Sequence, residues 1–211
     1  MTRHGLAWLI VIIALLLFAP LLVRQATYER CYVEEMETAL SWYSADDAQS
    51  IVDRANGLYD WSMVRSGLDP FVRDHFTRPV TEATDPMSEK VSKVAGTYAE
   101  HVTNYGSNFL QNVWLFCFRL AHSLSWLLYL APFIVAIIFD GIMTRKAKLA
   151  SFKYTSPTIY NLSWHTIIAL ASGALVTFAV VSPLPILLFP AVLTLMGLLL
   201  RLVIANIQHS A

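Results

Sequence analysis

The sequence predicts an all-α integral membrane protein with four transmembrane helices and an α-helical periplasmic segment between the first and the second. Three observations carry this prediction. The mean hydropathy of the 211 residues is +0.51, and only 14% of them are charged, against roughly 25% in soluble domains. Four apolar stretches are each long enough to cross a hydrocarbon core of about 30 Å. The acidic residues, finally, are almost all confined to one segment.

Charge divides the chain into unlike parts. Residues 24–107 hold 14 acidic and 8 basic side chains, a balance of −6, while the remainder holds one acidic and 7 basic side chains, a balance of +6. Direct binding of nucleic acid by the acidic segment is excluded, since phosphate neutralisation needs clustered Lys and Arg. Any contact with DNA is therefore predicted to be indirect.

The first span is predicted at Gly5–Val23, which carries no charge. A cleaved signal peptide has a shorter apolar core and a small-residue cleavage site, and the residues after Val23 offer a poor one. Residues 1–23 are therefore interpreted as a cytoplasmic N-terminus and an uncleaved first transmembrane helix.

The acidic segment, residues 24–107, is predicted to be helical. Apolar residues at helical spacing from Tyr28 to Tyr43 predict that the first span continues outward as an amphipathic helix. Ser44 has the position of an N-cap for a second helix that ends at Gly67. A short helix and a connector fill the next residues, up to Asp85.

A long helix is predicted from Met87 onward, with apolar residues at steps of three or four, and it leads into the second span at 120–139. Residues 108–139 thus combine a periplasmic extension with the second transmembrane helix. Pro132 marks a kink within it. Arg119 falls at the outer boundary, where its guanidinium is expected to extend to the headgroups.

The remaining spans form a hairpin over residues 162–204, because only a short turn separates the third span from the fourth. Within the third span, Ala169 and Gly173 form a small-xxx-small pair that allows close helix packing. The loop at 140–161 is the basic one, which places it and both termini, including the tail at 205–211, in the cytoplasm. Its basic residues are Arg145, Lys146, Lys148 and Lys153.

The sequence contains no recognisable catalytic, cofactor-binding or metal-binding motif, neither a nucleotide-binding P-loop nor a zinc signature. The adjacent carboxylates Glu34 and Glu35 are interpreted as a solvated helix face, because neighbouring residues on a helix point in different directions. Cys31 and Cys117 both lie on the outer side in this topology. A disulfide between them and two free thiols are the open alternatives.

The basic loop supports two interpretations. Its Lys and Arg side chains can lie against anionic lipid headgroups, with Ser156 capping and Pro157 opening the third helix. Alternatively, the same surface docks the membrane-proximal region of another protein. The aromatic anchors in that case are Tyr154, Tyr160 and Trp164.

The loop also carries two short motifs, F-D-G-x-x-x-R at Phe139–Arg145 and S-P-T-I-Y at Ser156–Tyr160. In both motifs and in topology the chain resembles the TraJ-like four-span inner-membrane proteins of integrating conjugative elements and H-type conjugative plasmids. The Tyr-His pair of that family is Tyr160–Asn161 here. The resemblance implies a place in the bacterial inner membrane, beside the TraG/TraD-like type IV coupling ATPase that recruits DNA to the conjugative secretion channel.

The sequence and the resemblance together predict a non-enzymatic accessory subunit of a conjugative type IV secretion system. It would associate with the coupling ATPase, with membrane lipids and with further copies of itself. One alternative is a surface-exclusion or other envelope protein of the same element. A small membrane transporter or enzyme is the other alternative, disfavoured by spans that hold almost no interior charge.

Overall fold

The structure is a computed structural model that describes residues 2–76 and 88–207, with side chains over 6–76 and 102–207. These residues form helices and no strand, which confirms the all-α prediction. A five-residue π-helix, Asp60–Val64, follows the third α-helix directly. The α-helices are α1 (Thr2–Leu22), α2 (Gln25–Trp42), α3 (Ala45–Tyr59), α4 (Leu68–Phe76), α5 (Ser88–Tyr129), α6 (Ala131–Ala150), α7 (Pro157–Ala179) and α8 (Leu188–Ala205).

Within the described residues, α7 and α8 are each long and apolar enough to cross a membrane. Two further spans result only if each of two bent helix pairs counts as one span. The first pair joins Leu6–Leu22 to α2 with a bend of 117°, and the second joins Val102–Tyr129 to α6 with a bend of 59°. Four spans, as predicted, are thus the upper end of a range of two to four.

The chain divides into two compact units. The first unit contains the residues up to Ala121 together with Phe178–Leu184. The second unit contains His122–Thr177 and the residues from Pro185 onward. Helices α5 and α7 each contribute residues to both units.

The expected outward continuation of the first span is wrong, because α2 is a separate helix that turns sharply away from α1. The backbone carbonyls that would accept hydrogen bonds within a continuous helix accept them from other donors here. The side-chain amide of Asn108 donates to Pro20 O at 3.3 Å and to Val23 O at 3.1 Å, while Thr27 N–H donates to Arg24 O at 2.9 Å. Asn108 on α5 therefore caps the C-terminal end of α1 and stabilises the break between α1 and α2.

Proline inside α1 requires a second contact of the same kind. Pro20 has no N–H, so the carbonyl of Leu16, four residues earlier, loses its helical partner. The Asn112 amide donates to this carbonyl at 3.4 Å, and the Tyr105 hydroxyl donates to the next one, Leu17 O, at 3.2 Å. A neighbouring helix thus satisfies the carbonyl that the proline frees, as apolar helices require, and adds a second bond beside it.

The predicted caps of the acidic segment are confirmed. The Ser44 hydroxyl accepts the Asp47 N–H at 3.2 Å and begins α3. Gly67 ends the helical stretch with φ +79°, a conformation that favours glycine, and its N–H donates to Val64 O at 3.0 Å. The predicted short helix is α4, whereas the predicted connector after it lies outside the described residues.

The buried faces of α2 and α5 differ from the predicted stripes. On α2 the buried residues are Tyr28, Cys31, Glu35 and Ala39. On α5 the buried face is partly polar and contains Asn108, Asn112, Leu115 and Arg119. From Val102 onward, the residues of the predicted apolar stripe of α5 are half-buried or exposed. The earlier residues of that stripe, such as Tyr98, have side chains outside the part that the structure describes. A prediction from apolar periodicity alone therefore assigned the wrong buried face to helices whose buried residues are partly polar.

In the second unit, the predicted kink is confirmed as a break at Leu130, between α5 and α6. Pro132 is the second residue of α6, where a missing N–H costs nothing. Helix α6 packs closely on α8, because Gly141 has no side chain: a Cβ there would lie 3.1 Å from Cβ of Ile204 and 3.3 Å from Arg201 O. Gly197 on α8 similarly faces Ile137.

Candidate functional site

The most distinctive polar site in the first unit is built around Arg119. This side chain is fully buried, with 0% of its surface exposed. The expected extension of its guanidinium to the headgroups is therefore wrong. A buried charge is unfavourable unless it is paired and its hydrogen bonds are satisfied, so its partners define the site.

Glu35 of α2 is the ionic partner of Arg119. Arg119 Nη2 lies 2.5 Å from Glu35 Oε1, and Nε lies 3.1 Å from Oε2 and 3.2 Å from Oε1. This fork-to-fork contact is the strongest geometry for such a pair. Glu35 is itself buried, so the prediction of a solvated Glu34–Glu35 face is wrong for Glu35. Glu34 pairs on the surface with Arg30.

The guanidinium also binds the backbone at the end of α7 and in the following turn. Arg119 Nη1 donates to Phe178 O at 3.0 Å and to Val180 O at 2.6 Å. Nη2 donates to Ser182 O at 2.6 Å. Phe178 O lies at the C-terminus of α7, where carbonyls lack partners within the helix and carry partial negative charge. Val180 O and Ser182 O belong to the turn that follows.

A last contact closes the cluster, since Leu184 N–H donates to Glu35 Oε1 at 3.1 Å. A guanidinium has five N–H donors, and the contacts of Nε, Nη1 and Nη2 use all of them. Every N–H of the guanidinium therefore has an acceptor, and the side chain joins α2, α5 and the end of α7. We call Glu35, Arg119 and these backbone partners the arginine clamp.

Sequence reasoning missed this site because its two charged residues lie 84 positions apart. One signal was available: Arg119 stands alone in an apolar stretch, and an ionisable residue at such a place is a candidate for a functional or structural role. Nothing in the sequence identified its partner, since Glu35 sits among other acids.

Helix α4 and the end of α3 carry a second polar cluster. Asp69 is buried, accepts a 2.5 Å hydrogen bond from the Tyr59 hydroxyl and pairs with Arg73 Nε at 2.5 Å. The bond from Arg73 holds the pKa of the Asp69 carboxyl below its usual range, and the Tyr59 hydroxyl adds to this effect. Burial raises the pKa of Tyr59.

Replacing Asp69 with asparagine is expected to lower the free energy of unfolding by about 1 kcal/mol at pH 7, a figure reduced for the exposure of Arg73. Because the folded-state pKa is lowered, the charged form stabilises the fold above the unfolded value near pH 4, and this contribution disappears as the pH falls through the lowered pKa. Thermal unfolding of both proteins at pH 7 and in acid measures it. Asp60→Asn, which breaks an exposed pair with Arg65, is the control. A difference that persists undiminished in acid would contradict this.

The two motifs of the basic loop have structural roles in the second unit. Asp140 pairs with Arg201 on α8, and the adjacent Gly141 allows α6 and α8 to approach closely. As predicted, Ser156 caps α7: its hydroxyl accepts the Ile159 N–H at 3.3 Å, and Pro157 is the first helical residue.

Of the predicted interface residues, Lys148 is engaged within the chain. Its ammonium donates to Asn206 Oδ1 at 2.8 Å, and the Ser156 N–H donates to the same oxygen at 3.3 Å. Asn206 is buried. Lys146, Lys153 and Tyr154 are exposed, while Arg145, Tyr160 and Trp164 are half-buried. The structure thus leaves a smaller free surface than the sequence suggested.

The predicted packing and disulfide residues lie as follows. Ala169 is exposed, and a Cβ at Gly173 would meet nothing within 4 Å in the described chain. The close helix approaches described above involve Gly141 and Gly197 instead. Cys31 and Cys117 are both buried free thiols.

Among the side chains that the structure describes, residues 6–76 and 102–207, no group of three or more His, Cys, Asp or Glu could hold a metal ion.

Comparison with protein families gives a match. A family model described as IncC plasmid conjugative DNA transfer protein DtrJ-like matches residues 24–210. The match covers almost all of the chain after α1, including the arginine clamp and both loop motifs. No curated protein and no solved structure matches the chain.

Proposed function

Because the chain belongs to the DtrJ-like family of IncC plasmid conjugative DNA transfer proteins, and is thus a component of conjugative DNA transfer, we propose that it is a non-enzymatic subunit in the bacterial inner membrane that associates with the coupling ATPase. The family match is the observation that carries this proposal. The resemblance of Phe139–Arg145 and Ser156–Tyr160 to TraJ-like proteins supports the choice of partner.

The membrane location is supported by the apolar helices. Helices α7 and α8 meet the length and hydropathy that spanning requires, and α1 exposes large apolar side chains along most of its length. In the proposed topology both termini and the basic loop are cytoplasmic, and the acidic segment is periplasmic.

A non-enzymatic role is supported by the chemistry of the clamp. Arg119 and Glu35 satisfy each other and the backbone around them, so neither is poised for proton transfer or for binding a substrate. The subunit would act by contact, with the ATPase and with further copies of itself, and would meet DNA only through its partners.

Deletion of the gene tests the proposal. Loss of the gene from the donor should abolish transfer without changing growth, and a plasmid-borne copy should restore it. Loss from the recipient should have no effect, because a coupling subunit is needed only where the DNA is exported. Normal transfer from the deleted donor would refute the proposal, and a phenotype confined to the recipient would favour surface exclusion.

Co-purification tests the partner. A tagged full chain, extracted in mild detergent after crosslinking, should retain the coupling ATPase. If transfer requires the gene but no ATPase is retained, the conjugative role stands and the proposed partner is wrong.

A further inference from the structure

Helix α6 ends in a tight turn that places an aromatic residue where glycine is usual. The N–H of Lys153 donates to Lys148 O at 2.9 Å, and the N–H of Phe152 donates to Leu149 O at 3.3 Å. These two bonds define a Schellman motif, whose penultimate position adopts a left-handed conformation and is usually glycine. Here it is Phe152, with φ +52°, a strained value for a bulky side chain.

The ring of Phe152 gains nothing from the fold in return for this strain, since 96% of the residue is exposed. Backbone strain that the fold does not use is a pointer to function. The turn is also held in place, because Lys148 and Ser156 on either side of it both bind Asn206. The backbone on either side of Phe152 is therefore held in place, while the Phe152 side chain is exposed.

The segment that contains Phe152 is basic and holds no acidic residue. Lys146 and Lys153 are exposed and Arg145 is half-buried, and no Asp or Glu occurs from residue 141 to the end of the sequence. Tyr154, 78% exposed, adds a second aromatic ring with a polar tip. Cationic side chains around projecting aromatic rings are the composition that binds anionic lipid headgroups, with the rings at the acyl boundary.

We propose that the last residues of α6 and the turn after them, Arg145–Tyr154, bind anionic lipid headgroups, with the Phe152 ring inserted at the interface. This inference rests on the membrane location proposed above. A lipid surface is favoured over a protein partner because the patch is a basic helix end and turn, without Asp or Glu, in the segment that joins α6 to α7. It selects the lipid alternative for the basic loop and adds Phe152, which the sequence did not single out.

A fluorescent reporter at position 154 tests the proposal. The full-length Tyr154→Cys protein, labelled with an environment-sensitive maleimide dye, is reconstituted in nanodiscs of phosphatidylcholine alone or with phosphatidylglycerol. Both native cysteines are buried, and the unsubstituted protein measures their background labelling. Phosphatidylglycerol should blue-shift the dye and reduce its quenching by aqueous iodide several-fold. A dye at Asp46→Cys, on the acidic segment, should not respond.

Two variants separate the roles of charge and ring. Arg145→Glu/Lys146→Glu/Lys153→Glu should abolish the response to phosphatidylglycerol. Phe152→Gly should raise the midpoint of thermal unfolding, because it relieves the strained backbone, and yet weaken the response. A role confined to folding would not move these two readouts in opposite directions.

Three results would overturn the inference. Equal quenching with and without phosphatidylglycerol, or a response unchanged in the triple-Glu variant, would exclude the lipid contact while the membrane location stands. Protection that appears only when the coupling ATPase is added would assign the turn to a protein partner. A chain that does not stay in nanodiscs would contradict the membrane location and this inference with it.

Discussion

Replacing Arg119 with leucine should cost about 3–5 kcal/mol of the free energy of unfolding, the usual effect of removing one partner from a buried ion pair. Glu35 would keep a buried negative charge, and the Leu184 N–H would be its one remaining hydrogen-bond donor among the described residues. Phe178 O, Val180 O and Ser182 O would lose their bonds from the guanidinium as well. Chemical unfolding of the full chain in mixed micelles measures the change.

The matched control is Arg30→Leu, which removes a surface pair with Glu34 on the same helix as Glu35 and should leave stability nearly unchanged. Glu35→Leu should also be strongly destabilising. The double variant Glu35→Leu/Arg119→Leu should cost clearly less than the sum of the two, because neither leaves a charge unpaired. Additive losses, or a mild Arg119→Leu phenotype, would contradict the clamp.

Gly141→Leu should be the next most damaging substitution, with an expected loss of roughly 2–3 kcal/mol from overpacking. Even a Cβ at this position would lie 3.1 Å from Ile204 and 3.3 Å from the backbone oxygen of Arg201, and a leucine would force α6 away from α8. Displacement of α6 would also strain the Asp140–Arg201 pair. Thermal unfolding of the full chain, followed at a probe on α8, measures the loss.

Gly173→Leu is the control for this prediction, because a side chain there meets open space in the described chain. Gly141→Ala should fall between the two, since Ile204 has to shift by only a few tenths of an ångström. Equal stability of the Gly141→Leu and Gly173→Leu proteins would contradict the close packing of α6 on α8.

Local signals in the sequence predicted several of the helix boundaries. The Ser44 cap, the glycine at Gly67, the break beside Pro132 and the Ser156–Pro157 start of α7 all lie where local chemistry places them. Each is decided by a few adjacent residues, through a side-chain cap, a positive φ or a missing N–H. Local rules are reliable for this reason.

Contacts between distant residues were not predictable in the same way. The turn between α1 and α2 depends on Asn108, which lies 85 positions from the Val23 carbonyl it binds. The arginine clamp likewise joins helices whose polar residues look solvated when each helix is read alone. Where buried faces include polar residues that satisfy one another, apolar periodicity assigns the wrong face.

The basic loop was recognised from its charge, although the roles of its residues were not. Lys148 resembles its basic neighbours in the sequence, and only the fold pairs it with Asn206. Phe152 gave no signal, because an aromatic residue in the glycine position of a helix cap becomes visible only through its φ angle.

The proposed function depends on a membrane that separates the acidic segment from the basic loop. Single cysteines at Asp46 and at Lys153, both exposed positions, can be labelled in spheroplasts with a membrane-impermeant maleimide. We expect Asp46→Cys to react in intact spheroplasts and Lys153→Cys to react only after the membrane is permeabilised. Equal labelling of both cysteines in intact spheroplasts would contradict the topology and the subunit role built on it.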